Sequence, residues 1–415
     1  MLARFPHLTL WIRMIEPSLR PTRLYVNVGH AFAHLLMLIF PTAVLAMEGT
    51  WGLGYAQLLP LGFAGYLLFG LGSLPAGWVA DRWQSAWIMA LYYLGTGIAC
   101  VLTGLAEGPW SLALGLTLIG LFASIYHPVA LAWLVGAGDR PGRALGINGV
   151  YGAIGTAGAA LVAGALADLL SWRAAFLVPG LACVAIGAVF TVGVARGRHR
   201  MARAGYRRDR PQADRAEARR GLFLMLGVIL FTGLIFQLAA VGMPKIFQIR
   251  LGETIGTSAI ASGTLVSVVY AISALGQVAG GMLADRYDER TLYPISYALQ
   301  IAVLAVAVMT FNPLLVAVMA LAVTIQTGTQ PIENCLIARY TPDSWRATVY
   351  GLKFVLALGL SSLGVPLIAL IVGRTGGAGG VLLAMLACSV VALGVALVLP
   401  RGAPQAAAPA IQPAE

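Results

Sequence analysis

Five ionisable side chains stand inside long apolar runs of this 415-residue chain: His30, His34, His127, Glu333 and Lys353. His30 and His34 are four apart, so a helix would set them one turn apart on one face. His127 directly precedes Pro128, and Glu333 is followed by Asn334 and Cys335. An ionisable group at lipid depth is costly unless it faces a cavity or a partner, which makes each a functional candidate. Histidine can gain and lose protons at cellular pH, and Glu333 can do so only if Lys353 does not hold it ionised. The chemical reading has His34 and His127 lining a cavity while Glu333 pairs with Lys353. The structural reading has His30 as a packed, hydrogen-bonded histidine and Glu333–Lys353 as an ion pair that only stabilises.

These residues need helices to carry them. The chain is 59% hydrophobic and 10% charged, with 50 glycines and a mean hydropathy of +0.84. A soluble domain carries about 25% charged residues, so this chain cannot cover itself with a polar surface. Apolar stretches of about 18 or more residues recur, each able to cross a hydrocarbon core of about 30 Å. The short alternating pattern of membrane strands is missing. The spacing predicts an all-α polytopic membrane protein with twelve spans, at 24–47, 53–80, 86–106, 110–136, 144–168, 173–195, 221–243, 257–284, 291–311, 314–338, 347–373 and 377–399. His34 lies ten residues from the start of its span and His127 nine from the end of its own, so both are expected near the midplane, about 15 Å deep. Glu333 and Lys353 are five and six residues from the ends of theirs, so they match each other in level.

Basic residues set the orientation. With both termini cytoplasmic, 22 of the 27 Lys and Arg fall on cytoplasmic segments; Arg173, Lys245, Arg250 and Arg374 fall outside, and Lys353 sits within a span. The net charge of +11 is thereby a mark of topology, and no nucleic-acid partner is needed to explain it. Residues 1–23 read as a cytoplasmic tail and 400–415 as a disordered one. The segment Arg196–Arg220, with ten arginines and three acids, reads as a solvated linker between two six-helix halves, 24–195 and 221–399, or as a binder of anionic lipid headgroups. Cys100, Cys183, Cys335 and Cys388 fall in apolar runs as small hydrophobes. No CxxC or other metal-ligand spacing, Ser-His-Asp arrangement or phosphate-cradling GxxxxGK[ST] occurs, so no enzyme, metal, cofactor or ATP-driven pump is expected.

The halves read as a repeat. A shift of 203 residues superposes His34 on Gln237, Pro41 on Pro244, His127 on Gln330, Pro128 on Pro331 and Arg143 on Arg346. Gln237 and Gln330 therefore join the candidate cavity. The fifth span carries Gly149, Gly152, Gly155, Gly158 and Gly164, which permits close helix approach. Internal prolines at Pro41, Pro60, Pro128, Pro179, Pro244, Pro331 and Pro366 permit bends.

Two further stretches match across the halves: Gly77-Trp78-Val79-Ala80-Asp81-Arg82 and Gly281-Met282-Leu283-Ala284-Asp285-Arg286. They resemble the loops after the second and eighth helices of major facilitator superfamily transporters, and the resemblance covers roughly residues 24–399. It implies two pseudo-symmetric six-helix halves with a substrate site between them near the midplane. In that family the loop aspartate latches the cytoplasmic side, so Gly77, Asp81, Arg82, Arg143, Gly281, Asp285, Arg286 and Arg346 are the gating candidates. A helix N-terminus favours such a carboxylate, and Asp81→Asn is expected to cut transport while sparing expression. Topology-setting loop charge is the plainer alternative. Tyr126-His127-Pro128, with His34-Leu-Leu and Phe40-Pro41, resembles the fosmidomycin-resistance branch, which exports drug-like or phosphonate molecules in exchange for protons. The resemblance carries over to His34 and His127. The fifth-span glycines resemble an antiporter signature but lack its Gly-Pro pair. The first loop lacks the family's basic tail, with Trp83-Gln84-Ser85 in its place, and the fourth-helix arginine of drug antiporters is absent.

The expectation is a monomeric secondary transporter of a bacterial inner membrane, moving a small solute by alternating access with proton-coupled efflux. Proton-symport uptake and a transporter-like receptor or assembly factor remain as alternatives.

Overall fold

The computed structural model describes residues 20–80, 83, 85–136, 141–199, 215–341 and 346–400. Of Arg143, Asp285 and Arg346 it describes the backbone alone. Asp81 and Arg82, and most of the two tails and of the linker, lie outside the described residues.

Among the described residues twelve helices are long and apolar enough to cross a membrane: α1 (Thr22–Met47), α2 (Tyr55–Ala80), α3 (Ser85–Gly104), α4 (Pro109–Leu131), α5 (Ile147–Leu169), α6 (Trp172–Ala195), α7 (Ala216–Ile255), α8 (Ala259–Ala284), α9 (Glu289–Met309), α10 (Leu314–Ile337), α11 (Val349–Thr375) and α12 (Gly379–Leu397). No strand occurs among them. An even number of traverses returns the chain to the end where it began, the terminal end. The predicted spans are all present, with one boundary corrected. The helix carrying α7 runs Arg215–Ile255, taking in residues 215–220 assigned to the linker and twelve beyond the expected end at 243. Arg, Ala and Glu are good helix formers, and Pro244 sits inside the helix without ending it.

Several spans are broken, and the breaks have sequence causes. α1 is interrupted at Ile39, where Pro41 stands in the first turn of a second segment, Phe40–Met47. α4 breaks after Ala123 and restarts at Tyr126. Pro128 has no N–H to give the Ser124 carbonyl four residues back; the Ser73 hydroxyl of α2 donates to that carbonyl at 3.3 Å. α11 passes from an α-helix (Arg346–Phe354) through a π turn (Val355–Gly359) and a 3-10 turn (Leu360–Leu363) before resuming at Gly364–Thr375.

Glycines fix the crossings, as they must where lipid gives helices no hydrophobic reason to associate. α3 meets α6 through Gly97 and Gly180, α2 meets α4 through Gly65 and Gly120, and α8 meets α10 through Gly276 and Gly280. The fifth-span glycines divide their labour. Gly152 and Gly155 lie against His30 and Ala31 of α1, Gly164 lies against Ala259 of α8, and Gly158 faces open space. The second segment of α1 touches α7 and α8, and the first six spans meet the last six chiefly along two seams. One is α5–α8, where a Cβ on Gly263 would strike the Ala160 carbonyl; the other is α2–α11, where a Cβ on Gly70 would fall on the Gly359 backbone nitrogen.

At the end away from the termini, the two halves are also tied by polar groups. The Asp168 carboxylate of α5 accepts from the Ser258 hydroxyl (2.6 Å) and the Ile260 backbone N–H (2.8 Å), capping α8 from the opposite half. Glu48 pairs with Lys245 at 2.5 Å, and Lys245 also donates to Gln248 at 2.7 Å. Arg173 donates to the Gly104 and Ala106 carbonyls at the end of α3. Arg250 donates to Ala307, Val308 and Thr310 at the end of α9. A cation on the last carbonyls of a helix is favourable, so two of the four cations predicted outside serve as helix ends and a third as a cross-half ion pair.

Candidate functional site

His30 and His34 leave α1 on one face, as their spacing requires, and His127 reaches them from α4. The three rings are 4.9 Å (His30–His34), 5.3 Å (His30–His127) and 5.5 Å (His34–His127) apart between centroids. One nitrogen of each can be chosen so that all lie within 4.8 Å of one another, and the Nε2 atoms of His30 and His34 are 3.2 Å apart. Gly152 makes the room: a Cβ there would lie 2.6 Å from the His30 ring.

A polar scaffold orients the cluster. His30 Nδ1 lies 2.7 Å from the Asn148 carbonyl of α5. That contact places a proton on Nδ1 and turns the Nε2 lone pair inward. The Asn148 amide donates to the Tyr126 hydroxyl (2.8 Å) and to Asn27 Oδ1 (3.1 Å). Tyr126 in turn donates to the Val26 carbonyl (2.8 Å) and stacks on His30 at 5.1 Å and 22°. From the other half, Phe354 of α11 lies nearly parallel to His127, at 5.4 Å and 11°.

The second cluster surrounds Glu333, which is 1% exposed. Lys353 Nζ pairs with its Oε1 at 2.8 Å and donates to Asn334 Oδ1 at 2.6 Å. The hydroxyls of Tyr293 (2.9 Å) and Thr232 (3.2 Å) both donate to Oε2. Tyr297 donates to the Tyr293 hydroxyl at 3.3 Å. Donors from α7, α9 and α11 thus converge on one carboxylate of α10. Lys353 and Phe354 are consecutive, so one turn of α11, at the edge of the π segment, touches both clusters.

The other expected residues fall as follows. Gln237 is buried, with its stem against Gly364 of α11. Gln330 is half-buried on α10. Neither is hydrogen-bonded to the histidines among the described residues. Gly77 approaches Pro128, Gly281 faces open space, and Arg286 is exposed in the last turn of its helix. Among the described residues at the terminal end of the second half, Asp288 and Glu289 pair with Arg339 at 2.7 and 3.5 Å. Sequence reasoning passed over these, and also Asn148, Thr232, Tyr293 and Phe354. Short polar or aromatic residues inside apolar runs give no signal until a partner is known. A groove of about 760 Å³ also opens between α2, α3 and α4, walled by Pro75, Val79, Trp83, Trp87 and Leu91. Its lining among the described residues is apolar apart from Ser124.

Twelve glycine-packed spans in two halves, several of them broken, with buried ionisable groups inside them, define a secondary transporter of the alternating-access kind. The chain belongs to the Major Facilitator Superfamily, whose family model matches residues 27–352 and 230–414. It is 25% identical over 359 residues to a probable 4-methylmuconolactone transporter of Cupriavidus pinatubonensis, covering 83% of this chain and 82% of that one. It is 40% identical over 116 residues to a puromycin resistance protein of Streptomyces alboniger, a stretch that spans 27% of this chain and 22% of that one. A membrane sensor protein, UhpC of Salmonella typhimurium, is 23% identical over about half of each chain. Among solved structures, a bacterial homologue of the lysosomal transporter Spinster, inward-facing and occupied, has a TM-score of 0.77 at 17% identity, covering 93% of this chain and 97% of that one.

Proposed function

We propose that this transporter exports a drug-like or metabolite molecule across the bacterial inner membrane in exchange for protons, as the fosmidomycin-resistance branch does. The observation that carries the reading is the pair of buried clusters joined by Lys353 and Phe354 of α11. Ionisable groups buried in membrane-spanning helices are costly unless paired or facing a cavity, and they mark solute and proton paths by default. The 40% identical stretch of a puromycin resistance protein favours export. The working unit is a monomer with both termini cytoplasmic and membrane-facing halves at 24–195 and 221–399. His34 and His127 line the solute path, Gln237 and Gln330 are their counterparts, and the Asp81–Arg82 and Asp285–Arg286 loops, with Arg143 and Arg346, gate the cytoplasmic end.

The test is solute-dependent proton movement in proteoliposomes carrying a pH-sensitive dye, with wild type set against His127→Ala and Glu333→Gln. Proton movement that appears with solute and is lost in either variant supports coupled transport. Solute flux without proton movement removes the proton mechanism and leaves a facilitator. The long match to a probable 4-methylmuconolactone transporter favours uptake as a second reading, and the sign of the proton signal separates the two. No flux with any solute favours a sensor, the role named for the UhpC relative.

A further inference from the structure

The histidine cluster has a geometry that neither proton exchange nor solute packing requires. We propose that His30, His34 and His127 form a three-imidazole site for a borderline divalent cation of the zinc type. Around one such ion, metal–nitrogen bonds of about 2.0–2.1 Å set tetrahedral donors about 3.4 Å apart. His30 and His34 Nε2 already stand at 3.2 Å, and one ring nitrogen from each of the three histidines can be chosen so that all lie within 4.8 Å of one another. The ring nitrogen of His30 that faces away from the cluster meets the Asn148 carbonyl at 2.7 Å, the contact that fixes the tautomer of metal-bound histidines. Three nitrogen donors suit zinc, cobalt, nickel or copper, and do not suit magnesium or calcium, which take oxygen.

Three protein ligands leave the fourth position open. The cluster contains no carboxylate, and Glu333 is committed to Lys353, Tyr293 and Thr232. A dipositive ion at this depth therefore requires an anion for charge balance, and the open position takes hydroxide or an anionic oxygen of the solute. Phe354 of the other half covers His127, so the conformational change that separates the halves also uncovers the site. Solute chemistry enters here through the transporter reading, whereas cation binding does not depend on it.

The experiment uses the full chain, purified through a tag without histidine, stripped with chelator and dialysed against Zn2+, with bound metal counted per chain; Co2+ in place of Zn2+ reports coordination through its visible absorption. Wild type is expected to retain one Zn2+ per chain and to give the intense bands of tetrahedral Co2+. His34→Gln and His127→Gln, each eluting as a single monodisperse species, are expected to lose both signals. His199→Gln, outside the cluster, is expected to keep them. No stoichiometric Zn2+ in wild type would overturn the proposal and leave a hydrogen-bonded imidazole stack, and so would binding that survives both glutamine variants. Because no solute is needed, a negative transport assay leaves this result untouched.

Discussion

His127 of α4 and Phe354 of α11 lie ring on ring, 5.4 Å apart and 11° from parallel. They belong to different six-helix halves, and Lys353 beside Phe354 closes the ion pair with Glu333. Movement of α11 relative to α4 therefore breaks the ring stack, whereas the Glu333 pair, which joins α10 and α11 of one half, is disturbed only when α11 also shifts against α10.

Phe354→Ala removes the stacked contact, worth about 0.5–1.5 kcal/mol beyond its buried area. The conformer described here is expected to lose population by up to about tenfold. The rate at which solute becomes accessible from the opposite face, followed by stopped-flow quenching, would rise. An unchanged rate would make the contact incidental.

The Glu333–Lys353 pair predicts an asymmetric mutant cycle. Breaking a buried pair costs about 3–5 kcal/mol, while replacing both partners by apolar residues is near neutral. Lys353→Met alone should lower the melting temperature in detergent sharply, and Glu333→Leu with Lys353→Met should recover most of it. Transport is expected to stay low in the double variant, which separates stability from function.

Gly70→Ala places a Cβ on the Gly359 backbone nitrogen, where no side-chain rotation can relieve it. It is expected to force α2 and α11 apart and to abolish transport. Gly158→Ala meets open space, serves as the matched control, and should behave as wild type.

Asp168→Ala removes a cap that α5 supplies to α8, a contact of the kind worth about 0.5–2 kcal/mol. Faster hydrogen exchange over residues 256–264, and more frequent opening at that end, are expected. Lys245→Gln, by breaking the Glu48 pair, should act in the same direction. Protection unchanged in both variants would show that the glycine seams alone hold that end closed.

His199, just beyond α6, is buried between Tyr25 and Phe190 and meets the Thr22 hydroxyl at 3.1 Å. Burial and the neighbouring Arg198 charge lower its pKa below the ordinary value of 6.5. The unfolded chain therefore binds this proton more readily than the folded one. Its share of stability is complete above the unfolded pKa and falls as pH drops below about 6.5. The melting temperature is expected to fall less between pH 7 and pH 5 in His199→Gln than in wild type, and an equal fall in both would assign the slope to other groups.

The sequence by itself determined that the chain spans the membrane, because its composition admits no other solvent. It also determined twelve spans in two related halves, because apolar length and a shift of 203 residues are both linear properties. The i, i+4 spacing placed His30 and His34 on one face, and the depth of Glu333 and Lys353 anticipated their pairing. What covers those side chains was decided only by the tertiary structure. Linear spacing implied nothing about the Asn148 carbonyl on His30, Tyr293 and Thr232 on Glu333, or Phe354 on His127, because each contact joins helices far apart in sequence. His30 is packed and hydrogen-bonded, on Tyr126 and the Asn148 carbonyl, and only the tertiary structure also set it beside His127, since Gly152 admits its ring and α4 brings His127 to it. The fifth-span glycines read as one stripe and serve two partners, because a helix turns successive glycines toward different neighbours. A sequence fixes which face a residue takes on its own helix; only packing decides what that face meets.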